Sequence, residues 1–199
     1  VLRLKLGSWH FYPVVKLIVI MNIFTWLFKK IGGVPAEERE GKEVDYDKVF
    51  CLKINDKNKF IAWLIDYLPD GSVWSVEGIH DPKIIDILSK YQINDGIKVA
   101  LSTVCPRQPY IKVVLNTVSK MEIIKRLATW NFDSDFTHQH FYHGSVFYLS
   151  AYDNLCELCT NISKDIEKSK LLELEHDNIA RIVWDPVTGT NGKSKISDR

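Results

Sequence analysis

The chain is short of every feature that would place it in a specialised class. Only four cysteines occur in 199 residues, Cys51, Cys105, Cys156 and Cys159. They are too few and too unevenly spread for the disulfide framework of a small secreted domain. Excess charge of one sign is also absent, since 26 Lys and Arg face 25 Asp and Glu. No overall field draws in nucleic acid, so no nucleic-acid partner is expected. No uninterrupted apolar run reaches the about 20 residues of a membrane-spanning helix. The longest, residues 11–28, is broken by Pro13, Lys16, Asn22 and Thr25 and followed by Lys29 and Lys30; a lysine inside a span costs about 3 kcal/mol on insertion scales. No small-residue cleavage site follows it, which argues against a secretory signal. No serine sits in a nucleophile-elbow pattern, and no internal repeat is visible.

What remains is the composition of a folded protein. Apolar residues make up 46% of the chain and aromatics 12%, well above a disordered segment, and the length suits one domain. Residues 1–33 form an apolar N-terminal segment, read as an in-frame upstream extension with the true start at Met21, as a packed helix, or as a membrane anchor. Membrane contact is expected only through residues 11–28. Unpaired thiols otherwise fit a reducing, cytoplasmic setting. Residues 34–47 are polar and breaker-rich and read as a linker. Residues 48–186 read as a single domain and 187–199 as a flexible tail.

Within that domain, hairpins punctuated by helices predict an α+β fold: a largely antiparallel sheet of about six or seven strands with three packed helices. Val49 to Ile54 reads as a strand. Phe60 to Tyr67 and Val73 to Ile79 flank Pro69-Asp70-Gly71 and read as a hairpin. Asp81-Pro82 starts a helix carrying Ile84, Ile85, Leu88 and Tyr91 on one face. A second hairpin is expected between Ile97 to Val104 and Tyr110 to Leu115. Ser119 and Glu122 have capping-box spacing, with Val118 and Ile123 placed as a staple, for a helix running to Trp130. Ser145 to Ala151 reads as a strand. Asp153 is placed to cap a helix bearing Leu155, Cys159, Ile162 and Ile166, and Ile179 to Trp184 is the last strand.

The densest group of functional residue types lies between Trp130 and His143. Exposed aromatics ringed by charge are the make-up of interface centres. Trp130, Phe132, Asp133, Asp135, Phe136, Phe141 and Tyr142 are therefore the candidate binding surface. The expected function is a small, non-catalytic module that binds another protein, of the bacterial immunity or adaptor kind, without a cofactor. The alternative is a metal-dependent enzyme or ligand binder. His138 and His140 project to one face of a strand, and with His143 or an aspartate they would hold zinc or iron. Asp133 and Asp135 lie two apart in a loop that fixes no separation between their carboxylates.

His138-Gln139-His140 resembles the His-x-His strand motif of cupins, but Gly144 and Ser145 stand where that family's glutamate is expected. Cys156-Glu157-Leu158-Cys159 has Cys-x-x-Cys spacing; on the helix expected there, both thiols pack in the core. Val187-Thr188-Gly189-Thr190-Asn191-Gly192-Lys193-Ser194 resembles the phosphate loop of Mur ligases and folylpolyglutamate synthases. The resemblance implies a helix opening at the lysine to hold phosphates. Only Lys195 to Arg199 follow, too few for a stable helix, so the segment reads as tail.

Overall fold

A computed structural model describes residues 41–100, 108–157, 159–185 and 190–191. The expectations for residues 1–40, for Cys105 and for most of the tail lie outside these. The described chain is α+β. Its strands are β1 (Val49–Ile54), β2 (Ser72–Glu77), β3 (Tyr110–Leu115), β4 (His138–His143), β5 (Val146–Ala151), β6 (Thr160–Ser163), β7 (Ala180–Asp185) and the two-residue β8 (Thr190–Asn191). They form one sheet in the order β3-β2-β4-β5-β6-β1-β7-β8, and every neighbouring pair is antiparallel. β8 extends the sheet into the segment read as tail.

Four helices accompany the sheet: α1 (Lys57–Tyr67), α2 (Pro82–Ser89), α3 (Thr117–Leu127) and α4 (Lys168–His176). All four bury their apolar side chains in one cluster with Leu52, Trp74, Val113, Phe141, Leu149 and Ile162 of the sheet. On the opposite face Val49, Val73, Tyr142 and Phe147 pack with Val44 and Val99. Val44 comes from the end of the supposed linker, and Lys42 bridges Val99 there.

Four local expectations are corrected. Phe60 to Tyr67 is not a strand but most of α1. The Asp56 carboxylate caps it by accepting from the Lys59 amide, and Phe60, Ile61, Leu64 and Ile65 bury at helical spacing. Phe60, Trp63 and Tyr67 stack along its side, with centroids 6.0 and 5.3 Å apart. The Pro69-Asp70-Gly71 turn therefore joins a helix to a strand, with Gly71 at φ 87, where a side chain would be strained.

Of the strand expected to partner β3, residues 97–100 make no ladder with it and 101–104 lie outside the described residues. β3 pairs along its whole length with β2, and α2 occupies part of the long connection. The cap of α3 lies three residues earlier than expected. Asn116 accepts from the amides of Val118 and Ser119, while Ser119 Oγ accepts from the Asn116 amide at 2.8 Å. Val118 is 61% exposed and staples nothing, and the helix stops at Leu127.

The helix expected after Asp153 does not form. Asp153, Asn154 and Leu155 all take positive φ, at 48, 60 and 61°, and a right-handed helix cannot start from that backbone. The Ile162 and Ile166 spacing belongs to β6 and the turn beyond it. α4 follows, with no side-chain cap and only Leu171 and Leu174 buried.

The β3 edge is covered: Ile93 donates to the Lys112 carbonyl at 2.9 Å and Val114 donates to the Tyr91 carbonyl at 3.0 Å. Covering an edge this way blocks pairing with a foreign strand.

Candidate functional site at the loop end of the sheet

β2 ends at Glu77 directly opposite His138, where β4 begins, and Gln139 faces Ala151 at the end of β5. The loops 78–81, 128–137 and 152–159 and the start of α1 therefore meet at one end of the sheet. They are laced together. His80 donates its amide to Asp135 O at 3.1 Å and Asn154 donates its amide to Thr137 O at 2.9 Å. The Asn154 side chain reaches Asp133 O at 3.0 Å, the Asn58 side chain reaches Trp130 O at 2.9 Å, and Lys57 pairs with the Asp133 carboxylate. Gly78 sits where an added Cβ would fall 2.2 Å from Thr137 Oγ1, so the loops approach as closely as a glycine allows.

The left-handed turn Asp153-Asn154-Leu155 stands at the centre of this end. A left-handed residue costs about 1–2 kcal/mol when it is not glycine, and such residues normally occur singly. Here three in a row are held by tertiary contacts. Asp153 donates its amide to His138 Nδ1 at 3.1 Å, Asn154 is bonded through both amide groups as above, and Leu155 is 3% exposed and packed in the main core.

The structure separates the candidate binding residues into two sets. Trp130, Phe132, Phe136, Phe141 and Tyr142 are all buried, none more than 6% exposed. Trp74 stacks on Phe141 at 5.4 Å and on Trp130 at 6.4 Å, and Phe136 stacks on Phe132 at 4.5 Å. These rings are corrected from an exposed patch to core. Trp130, Phe132 and Phe136 turn into the main core from the loop after α3 and Phe141 from β4, while Tyr142 packs on the opposite face, since burying a large ring is strongly favourable. Asp133 is exposed and Asp135 half-buried on top of them. Asp135 accepts from the Asn131 amide at 2.7 Å.

The three histidines do not converge. His138 and His140 share the face opposite the helices, and both pack edge-on against Tyr152, with centroids 5.4 and 5.2 Å away. His143 lies on the other face, exposed, with Nδ1 3.5 Å from Ser72 Oγ. Strand alternation puts an odd-numbered neighbour out of reach of an even-numbered pair, so the expected three-histidine set is corrected. Among the described residues no group of three His, Cys, Asp or Glu is placed to hold a metal. His138 Nδ1 accepts from the Asp153 amide, which puts the proton of its neutral ring on Nε2.

Around these histidines runs a buried polar row that crosses the sheet: Lys112, Ser75, His140, Ser150, Asn161 and Cys51 stand opposite one another strand by strand. His140 Nδ1 lies 3.0 Å from Ser150 Oγ, which also accepts from the Val44 amide at 3.1 Å. That serine and histidine sit side by side as in a hydrolase, but Ser150 is fully buried beneath Val44. No substrate atom reaches it without displacing the segment above. Beside the row Glu43 and Asp95 gather the tyrosines. Tyr46 and Tyr152 donate to Glu43 Oε2 at 2.8 and 2.7 Å. Tyr142 donates to Asp95 Oδ2 at 2.7 Å, and Lys112 pairs with Asp95 at 2.6 Å. Burial, then the Glu43 carboxylate and the Tyr46 phenol, pushes the Tyr152 phenol far above its ordinary range, so it stays protonated and donates to Glu43. Burial by itself would raise the Asp95 carboxyl, but bonds from Lys112, Tyr142 and the Ile97 amide outweigh it and hold Asp95 below the usual carboxylate range.

No protein-family model, curated protein or solved structure matches the chain.

The thiols complete the site. Burial pushes Cys51 up to about 11. Burial, then the neighbouring Cys156, pushes Cys159 up to about 12. Neither is a thiolate at neutral pH, which removes both as ready nucleophiles. The left-handed turn and the Glu43 cluster went unread in the sequence. Asp153-Asn154, the two residue types that best tolerate positive φ, was the available signal for the first. Nothing local marks the second, which joins Tyr152 to Glu43 across 109 residues.

Proposed function

We propose that the chain is a non-catalytic module that binds another protein through the loop end of its sheet, with Asp133, Asp135 and Asp153 facing the partner. The observation that carries this reading is the left-handed turn at Asp153-Asn154-Leu155. Backbone strain of this kind persists only where surrounding structure over-determines it, and it concentrates at functional positions. Here the 128–137 loop, His138 and the main core beneath Leu155 hold it, which presents the polar tips rigidly and lowers the ordering cost of association. The absence of an accessible activated nucleophile among the described residues fits binding better than catalysis. No described helix is long and apolar enough to cross a membrane. An immunity or adaptor role in a bacterial cytoplasm is the narrower form of this proposal.

The test compares partner capture from native lysate by three tagged full-length chains: wild type, Asp133→Lys/Asp153→Lys, and Val118→Glu/Met121→Glu on the far face of α3. The expected result is a stoichiometric protein held by wild type and by the α3 variant. The loop-end variant should lose it by about tenfold or more, equivalent to 1.4 kcal/mol. A partner that all three retain equally would overturn the placement.

A further inference from the structure

The Cys156-x-x-Cys159 pair is not part of the binding argument above, and its geometry is independent of it. The pair spans a turn: the Cys159 amide donates to the Cys156 carbonyl at 3.0 Å, and Thr160 Oγ1 donates to that same carbonyl at 2.9 Å. A turn closed by that bond brings its first and fourth Cα atoms within about 7 Å, inside most of the span a disulfide bridges. Both cysteines are half-buried. The turn is clamped at its base, where Tyr152 exchanges hydrogen bonds with this segment: its amide donates to Cys159 O at 3.1 Å, and its carbonyl accepts from the Cys156 amide at 3.2 Å. Cys51, the third described thiol, points its Sγ to Asn161 Oδ1 at 3.2 Å and is thereby occupied.

We infer that Cys156 and Cys159 are a reversible modification site, a dithiol that closes to an intrachain disulfide on exchange with oxidised glutathione or an equivalent small disulfide. Cys156, as its thiolate, attacks one sulfur of the oxidant. That forms a protein–glutathione mixed disulfide and releases one glutathione thiolate, which takes up the proton. The second cysteine then attacks the protein sulfur of the mixed disulfide and displaces the second glutathione. Two protein thiols are oxidised and one glutathione disulfide is reduced to two glutathiones. Cys156 makes the first attack and Cys159 closes the bridge; because burial raises the Cys159 thiol, the exchange is run to completion at mildly alkaline pH, where the closing thiol ionises.

The experiment uses the full chain and oxidised glutathione, quenched by alkylation and read by mass spectrometry of the tryptic peptide Leu127–Lys164. That peptide holds Cys156 and Cys159 and no other cysteine. The expected product in wild type is this peptide lighter by two hydrogens and unalkylated, restored by dithiothreitol. The Cys159→Ser variant should instead accumulate a glutathione adduct on Cys156, because the displacing thiol is gone. Three results would each overturn the inference: a persistent adduct on Cys156 in wild type, a cross-link joining Cys51 to either thiol, or both thiols alkylated under conditions that form the adduct in Cys159→Ser.

Discussion

Gln139 is 1% exposed, and neither atom of its amide has a hydrogen-bond partner among the described residues. A buried polar group without a partner costs about 1–3 kcal/mol, so Gln139→Met, which keeps the volume and drops the polarity, should stabilise the fold by an amount in that range. A urea titration checks it: the midpoint should rise with an unchanged slope. Asp153 gives the converse case. Its backbone is left-handed while its carboxylate is exposed, so the side chain contributes less than the strain it carries. Asp153→Gly should be neutral or stabilising, whereas Asp153→Ala, which has no local polar bond to favour φ above zero, should lose about 1 kcal/mol. At this scale the sequence was legible where strand alternation decides, since His138 and His140 do share a face. Depth was not legible. That Trp130 and Phe136 lie inside and Asp133 outside depends on packing by Trp74, 56 residues before Trp130.

Among the elements, α1 rests on a single side-chain cap. The Asp56 carboxyl is held below the usual carboxylate range, chiefly by the Lys59 amide it accepts from. Its folded pKa lies under the unfolded value of about 3.9. Its contribution is therefore complete above that pH and is lost as pH falls through the folded value. Asp56→Ala should cost about 1 kcal/mol at neutral pH and should flatten the acid limb of the stability curve below pH 4. The segment 93–97 is pinned by the Lys112–Asp95 pair, with side chains 7% and 19% exposed. Removing one partner of so buried a pair costs about 3–5 kcal/mol, while replacing both by apolar groups restores most of it. Asp95→Leu alone should thus unfold far more easily than Asp95→Leu/Lys112→Met, measured as thermal midpoints.

β1, β5, β7 and α2 were legible because their periodicity and caps are local. α1 was misread because Phe60, Ile61, Trp63 and Ile65 are strand formers by type. Only the spacing of Phe60, Ile61, Leu64 and Ile65, and an Asp56 cap placed before the supposed strand, spoke for a helix. β6 was misread in the other direction because Ile162 and Ile166 mimic a helical interval.

The molecule as a whole closes late. β1 lies between β6 and β7, so the first strand of the domain is completed only by its last two long ones, and α4 and β7 add Leu171, Leu174, Ala180 and Ile182 to the main core. A chain ending after Ser163 should therefore lack a cooperative thermal transition by circular dichroism, although it retains six of the eight strands. The order of pairing also bears on synthesis. Ile54 leaves the ribosome 106 residues ahead of Thr160, which at about 5–20 residues per second leaves β1 without a neighbour for several seconds. Through that interval Val49, Phe50 and Leu52 wait without their partner strands, and how long the nascent chain carries them exposed follows from where one strand sits.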